Sequence, residues 1–265
     1  MAFATLILRA FWPARGGLAL LLLSLVGARA AQSNSPALAA PATHADFVRR
    51  AKRTFDESQV RYRRDTNSVE AAWQFARACF DLADLATRNS ERAEIAEQGI
   101  AVSRQAVARA SNSAPAHYYL GMNLAQLAQT KLIGALKIVN QMELEFSIVR
   151  GLDKQLDDAG ADRNLGLLYR DAPAIGSIGS RTKARQHLQN AVTLAPDSPE
   201  NHLNLIEAYL KWGERPAAQK ELKALEEIWP RARANRTGEE WASSWMDWEA
   251  RLKKVKAKLA GDGKQ

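Results

Sequence analysis

The sequence predicts an all-α chain, a solenoid of stacked helical hairpins ended by a C-terminal capping helix. Three observations carry this reading. Small and apolar residues recur in one pattern through the second half: Leu165-Gly166-x2-Tyr169, Ala184-x3-Leu188-x2-Ala191-x4-Pro196, then Leu205, Tyr209, Ala218, Leu222 and Pro230. No segment alternates with period 2 between hairpin turns, so no strand is expected. At the end, Trp241, Trp245, Trp248, Leu252, Val255 and Leu259 recur every three to four residues, which puts them on one helical seam.

The elements follow in order. Arg9 and Arg15 precede the apolar run Leu18 to Val26 and the small-residue site Ala28-Arg29-Ala30, the pattern of a secretory signal peptide over 1–30. The rival, an uncleaved anchor, needs a run nearer the roughly 20 residues that span a bilayer. Cleavage would start the chain at Ala31 and place it in the periplasm or outside the cell. Residues 1–30 carry three arginines and no acid, so their loss lowers the formal charge from +8 to +5. Cations and acids are mixed along most helices, which points to solvated faces and to no nucleic-acid partner. Residues 31–43, rich in Ala, Pro and Ser, read as a tether.

The folded part is expected over 44–262. Phe47, Val48, Ala51, Phe55 and Tyr62 mark a helix over 45–63, and Trp73, Ala76, Phe80 and Ala83 a second. Ile95, Gly99, Val102, Ala106 and Ala110 mark a third. After a helix over 115–129 comes a long one, on which Leu132, Leu136, Val139, Met142, Phe146 and Val149 repeat at helical spacing. Residues 170–180 form a loop inside a hairpin, and Ser198-Pro199 opens the next helix with a cap hydroxyl and a proline at its first position. Repeat units fall at about 68–111, 114–150, 159–196 and 199–230. A capping helix over 237–260 turns Lys253, Lys254, Lys256 and Lys258 outward, since a solenoid end needs one apolar and one polar side. Cys79, the single cysteine, reads as a small buried apolar residue.

Pro196 and Pro230 stand 34 residues apart, the length of a tetratricopeptide (TPR) unit. His117-x2-Leu120-Gly121-x2-Leu124 matches the TPR pattern with His in the Trp place, and Trp73-x2-Ala76-Arg77-x2-Phe80 matches it loosely. The chain thus resembles a TPR protein over about 68–230. Gly121 and Gly166 would let neighbouring helices touch backbone, and each proline would stop the second helix of its pair.

Chemistry is sparse. There is no H-E-x-x-H, no cysteine pair, no G-x-S-x-G and no Walker loop. No catalytic residue, metal site or cofactor is expected. The four histidines do not cluster, and His117 and His202 take equivalent repeat positions, which points to packing. The loop Gly176, Gly179, Ser180 with Arg181 and Lys183 could hold an anion at a helix start, against an ordinary reading of Ser180 as the helix cap. The stronger site expectation is a concave groove. Opposite the packed side of each first helix lie Tyr118, Met122 and Gln126, then Arg163, Leu167 and Arg170, then Leu203, Glu207 and Lys211. A protein segment, or a small hydrophobic or anionic ligand, would dock there.

Leu165-Gly166-x2-Tyr169…Pro173, the glycine-containing insert and Lys183-Ala184-x2-His187-Leu188-x2-Ala191 also resemble the T-component proteins that accompany solute-binding proteins of TRAP transporters. The resemblance spans about 90–230. It implies an exported TPR body that binds a periplasmic solute-binding protein and assembles as a ring of its own copies. Family members are often lipoproteins, whereas no cysteine follows the leader here. The alternative is a periplasmic scaffold or chaperone-like module that grips a peptide segment in the same groove.

Overall fold

The computed structural model describes residues 43–131 and 135–261. The expected leader, the tether up to Ala42 and Leu132 lie outside them. Ten α-helices and no strand occur among the described residues: α1 (His44–Arg64), α2 (Val69–Leu85), α3 (Asn89–Arg109), α4 (Ala114–Gln129), α5 (Ala135–Leu152), α6 (Leu156–Asp171), α7 (Arg181–Leu194), α8 (Pro199–Lys211), α9 (Arg215–Asn235) and α10 (Ala242–Gly261).

Short polar caps set most starts. Thr43 and Asp46 form a reciprocal capping box at α1. Ser68, Ser113 and Ser180 accept from the amides of Ala71, Ala116 and Lys183 at 3.1, 3.4 and 3.3 Å, satisfying donors that a helix leaves unpaired. Ser198 differs from expectation. Pro199 does stand in the first turn of α8, but the Ser198 hydroxyl makes no cap hydrogen bond. Pro230 differs too. It lies inside α9, which runs on to Asn235, so it removes one backbone donor without ending the helix.

Helices α2/α3, α4/α5, α6/α7 and α8/α9 pair as hairpins, and α1 packs on α2. Each second helix packs on the next first helix. The first helices α2, α4, α6, α8 and α10 also touch in sequence, more closely than the second helices do. The stack therefore curves around its first-helix side. Gly121 and Gly166 sit where expected. A Cβ on Gly121 would fall 2.7 Å from the Phe146 ring, and one on Gly166 would fall 2.6 Å from the Leu188 side chain. In the first hairpin the loose pattern misplaces its residues. Arg77, at the glycine place by spacing, has a 59% exposed side chain, while Ala72, Ala76, Cys79 and Ala83 are wholly buried. Burial pushes the Cys79 thiol up to about 12, as its expected packing role requires. At the far end Trp245, Trp248 and Val255 bury the seam of α10. Lys256 to Glu226 and Arg233 to Glu249 tie it antiparallel to α9.

Candidate interaction surface

The two equivalent histidines build the hairpins from inside. His117 sets Nδ1 2.6 Å from Glu145 on α5 and Nε2 2.9 Å from the Ser111 carbonyl. His202 repeats this with Glu221 on α9 and, at 2.8 Å, the Pro196 carbonyl. Both ring nitrogens face acceptors in each case. In the third hairpin the polarity is exchanged. Asp162 holds the first-helix place and receives His187 at 2.7 Å, Arg150 at 3.1 Å and Asn190 at 3.4 Å. Burial alone would raise its pKa, but the His187 bond and the Arg150 charge hold it below the usual range. Among the described residues no group of His, Cys, Asp and Glu could hold a metal ion.

The expected groove is closed. Tyr118, Met122, Leu167 and Leu203 are at most 4% exposed, and Gln126 and Arg163 are buried with them. The polar members are taken by the chain itself. Arg170 and Lys211 both bind Asp171, at 2.7 and 2.8 Å, and Glu207 receives a bidentate Arg251 from α10 at 2.9 Å. Amphipathic reasoning gives a surface helix one free side. Helix α4 has none, because α2, α3, α5 and α6 all pack on it. Its apolar residues are therefore core, and reading them as an open groove is corrected.

The loop expectation also changes. Ser180 caps α7, the Gly179 amide donates to the Pro173 carbonyl at 2.9 Å, and the Ser180 amide donates to Tyr169 at 2.9 Å. Arg181 pairs with Glu214, and Lys183 lies 4.7 Å over the Tyr169 ring. Gly176 keeps the positive φ of a turn. The glycines shape the loop, the Gly179 and Ser180 amides are bonded within the chain, and Arg181 and Lys183 make contacts within it.

Two features were not expected. The first is a left-handed turn at the start of α6, where Asp157, Asp158 and Ala159 have φ of 54°, 54° and 62°. Such backbone costs about 1–2 kcal/mol per residue, and a clamp of side chains holds it. Arg163 donates to the Asp157 carbonyl at 3.0 Å and to its carboxylate. Asn201 donates to the Asp158 carbonyl at 2.8 Å, and the Tyr118 hydroxyl donates to Asp157. Burial and the Asp157 charge push Tyr118 well above its ordinary pKa, so it stays a neutral donor. Burial would favour loss of the Arg163 proton, but the Glu200 and Asp157 carboxylates outweigh it and keep the cation. The Asp157-Asp158 pair was the only sequence signal, and nothing local says that residues from α4, α8 and the C-terminal turn converge on it.

The second is the part of the first-helix side that remains open. Trp73, half-buried on α2, stacks over the buried Tyr119 of α4, with rings 6.0 Å apart and 7° from parallel. Arg77 stands beside them, 3.8 Å from Asp81 one turn on and in the field of Asp157, and the Asp157 side chain is 47% exposed. A separate cleft of about 560 Å³ lies between α1, α2 and α3, lined by Val48, Lys52, Phe55, Leu82, Glu94 and Ile95.

Comparison with known proteins agrees with this architecture. The family model described as regulator of microtubule dynamics protein 1-3 matches residues 44–159, and a tetratricopeptide repeat model matches 179–235. Among curated proteins no sequence matches. A thermophilic TPR protein of Thermus thermophilus is similar in structure, with TM-score 0.57 at 15% identity over 80% of this chain and 98% of its own. MamA is similar with TM-score 0.49 at 19% identity, over 69% of this chain and 93% of its own. The resemblance to TRAP T-components is carried by none of these matches. Repeat period, hairpin stacking and the matched C-terminal unit converge on one statement: this chain is built on the tetratricopeptide-repeat fold.

Proposed function

We propose that the chain is a binding scaffold for a protein partner, engaged through the open part of its first-helix side. The observation that carries this is the Trp73–Tyr119 stack beside the exposed Arg77. Aromatic faces and arginine are the side chains that most often anchor interfaces, and a core has no use for a half-exposed guanidinium. The finer reading is an exported accessory to solute uptake whose partner is a periplasmic solute-binding protein. The leader pattern at 1–30 and the Leu165-Gly166-x2-Tyr169 insert motif support it. A second reading, a scaffold that grips a peptide segment with no solute involved, is favoured by the match over 44–159 to regulators of microtubule dynamics.

Binding and fold can be separated by mutation. Trp73→Ala with Arg77→Glu should weaken a captured partner by roughly 1–3 kcal/mol, with a smaller loss of stability from the half-buried Trp73 ring. Tyr118→Ala with Leu203→Ala should instead lower stability, since both side chains are core. Titration of the partner with each folded variant is the measurement. Equal affinity for wild type and the Trp73/Arg77 pair would move the site to the cleft at Val48 and Phe55. Native mass spectrometry of the purified complex separates the two readings, because only the uptake reading brings a solute with the partner.

A further inference from the structure

We propose that residues 236–241 form a latch that holds the first-helix side of the solenoid closed, with the left-handed Asp157–Ala159 turn as its catch. The segment leaves α9 and reaches three separate places in the stack before α10 begins. Arg236 donates to the Asp197 carbonyl ahead of α8 at 2.9 Å and to the Asp158 carboxylate at the start of α6 at 2.9 Å. Its own carbonyl accepts from Trp245 at 2.7 Å, and its guanidinium lies 5.6 Å over the Trp241 ring. Gly238 then turns the chain with φ of 96°, and Glu239 meets Arg50 of α1 through both its carbonyl and its carboxylate, the latter at 2.8 Å. Helix α1 and the segment before α10, through Arg50 and Glu239 189 residues apart in sequence, are thereby joined across the curve of the stack.

The two fastenings differ in strength. Arg236 is 12% exposed and bonded on both sides, whereas the Glu239 carboxylate is 81% exposed. An ion pair so open to water contributes little. Arg236 is therefore the pivot, and Arg50–Glu239 is the release point. The catch is strained, and strained non-glycine backbone persists only where surrounding groups over-determine it. Among the groups that hold it, Arg236 is the one supplied by the C-terminal segment. Release at Glu239 frees the segment to swing on Gly238, loosens Arg236 from Asp158 and removes one of the holds on the turn. The turn, the segment and the first turns of α1 thus open as one unit.

This inference draws on the binding reading above only for what opening would expose. Hydrogen exchange of the full chain is read with no partner present, so the two fail separately. In Glu239→Arg, exchange should rise about threefold in residues 155–163 as well as in 45–52 and 236–241, with the melting temperature unchanged. In Arg236→Gln it should rise about tenfold in 155–163 and 236–241. The charge exchange Arg50→Glu with Glu239→Arg rebuilds the ion pair but not the bond to the residue 239 carbonyl, so it should recover part of the lost protection in all three segments. Exchange at 155–163 that responds to Arg236→Gln but not to Glu239→Arg would mark a local contact and overturn the latch. So would a double variant that stays as open as Glu239→Arg alone.

Discussion

The second and fourth hairpins share one histidine device and pack around it in opposite ways. In the second, Gly121 follows His117 by one turn, and α5 fills the space with Val139, Met142, Phe146 and Val149. In the fourth, Ile206 holds the place of Gly121 and is wholly buried, while α9 buries only Ala218, Leu225 and Ala232. Bulk lost from the second helix has moved to the first helix and to the capping helix, whose Trp245 packs on Trp229 at 5.3 Å and on Trp248 at 4.9 Å. The repeat thus fixes the volume shared by a hairpin, which interiors must fill at near-crystalline density. It leaves open which helix supplies that volume.

The sharpest way to break this comparison is to empty the second hairpin. Phe146→Ala should cost about 3–5 kcal/mol, since the ring is 1% exposed and leaves a cavity against a glycine that cannot fill it. Gly121→Leu should cost about 1–3 kcal/mol by overpacking. Gly166→Leu should cost more, because its new Cβ meets the Leu188 backbone nitrogen at 3.1 Å as well as the side chain. Combining Gly121→Leu with Phe146→Ala should recover part of the loss, as the added leucine enters the vacated space. Denaturant unfolding of the four variants tests the idea, and strictly additive losses in the pair would sink the shared-volume account.

Much of this was legible in the sequence, and the rest shows what periodicity cannot carry. Helix positions, the Gly121 and Gly166 contacts, the cap at Ser180 and the seam of α10 all follow from local spacing and short-range hydrogen bonds. The groove did not. Which sides of α4 meet neighbours depends on how tightly α2 and α6 approach it, a long-range quantity that a rotation of about 100° per residue does not contain. Tyr118 and Leu203 look the same on a helical wheel whether the far side is water or another helix. Arg77 failed for a related reason: the same spacing admitted an alanine stripe one residue away, and packing chose the alanines. The Asp157–Ala159 turn was beyond reach because its hold comes from Arg163, Asn201, Tyr118 and Arg236, far apart in sequence.

A smaller effect tests whether the histidine device is shared in function as in geometry. Burial pulls the His202 pKa down, but the Glu221 bond and the Pro196 carbonyl outweigh it, so the folded value is raised above the usual 6.5. A raised value means that its contribution is complete below about pH 6.5 and fades as pH climbs through the folded value. The groups facing the ring are Glu221 from α9, the Pro196 carbonyl and the nearby Asp197 charge. Thermal melts between about pH 6 and pH 9 should show wild type losing stability toward the alkaline end, and His202→Gln should flatten that slope. An unchanged slope would show that His202 packs as a neutral ring with one nitrogen unmet.

The smallest expected effect lies at the joint between the third and fourth hairpins. Glu214, ahead of α9, receives Arg185 at 2.6 Å and also pairs with Arg181 from α7, while both guanidinium groups lie over the Trp212 ring at 5.1 and 5.4 Å. The Arg185 bond, with Arg181 behind it, draws the Glu214 carboxyl down to about 2. The sign is opposite to that of His202: a lowered value stabilises above the ordinary 4.5 and is lost as pH falls toward about 2. All three side chains are a quarter to a half exposed, so water and salt screen the pair and its weight stays low. Glu214→Gln should therefore shift the melting temperature at neutral pH by less than His202→Gln does at about pH 6. The difference from wild type should vanish on acidification and shrink in high salt. A shift at neutral pH as large as that of Gly121→Leu would show that charge, not shared volume, joins the hairpins here.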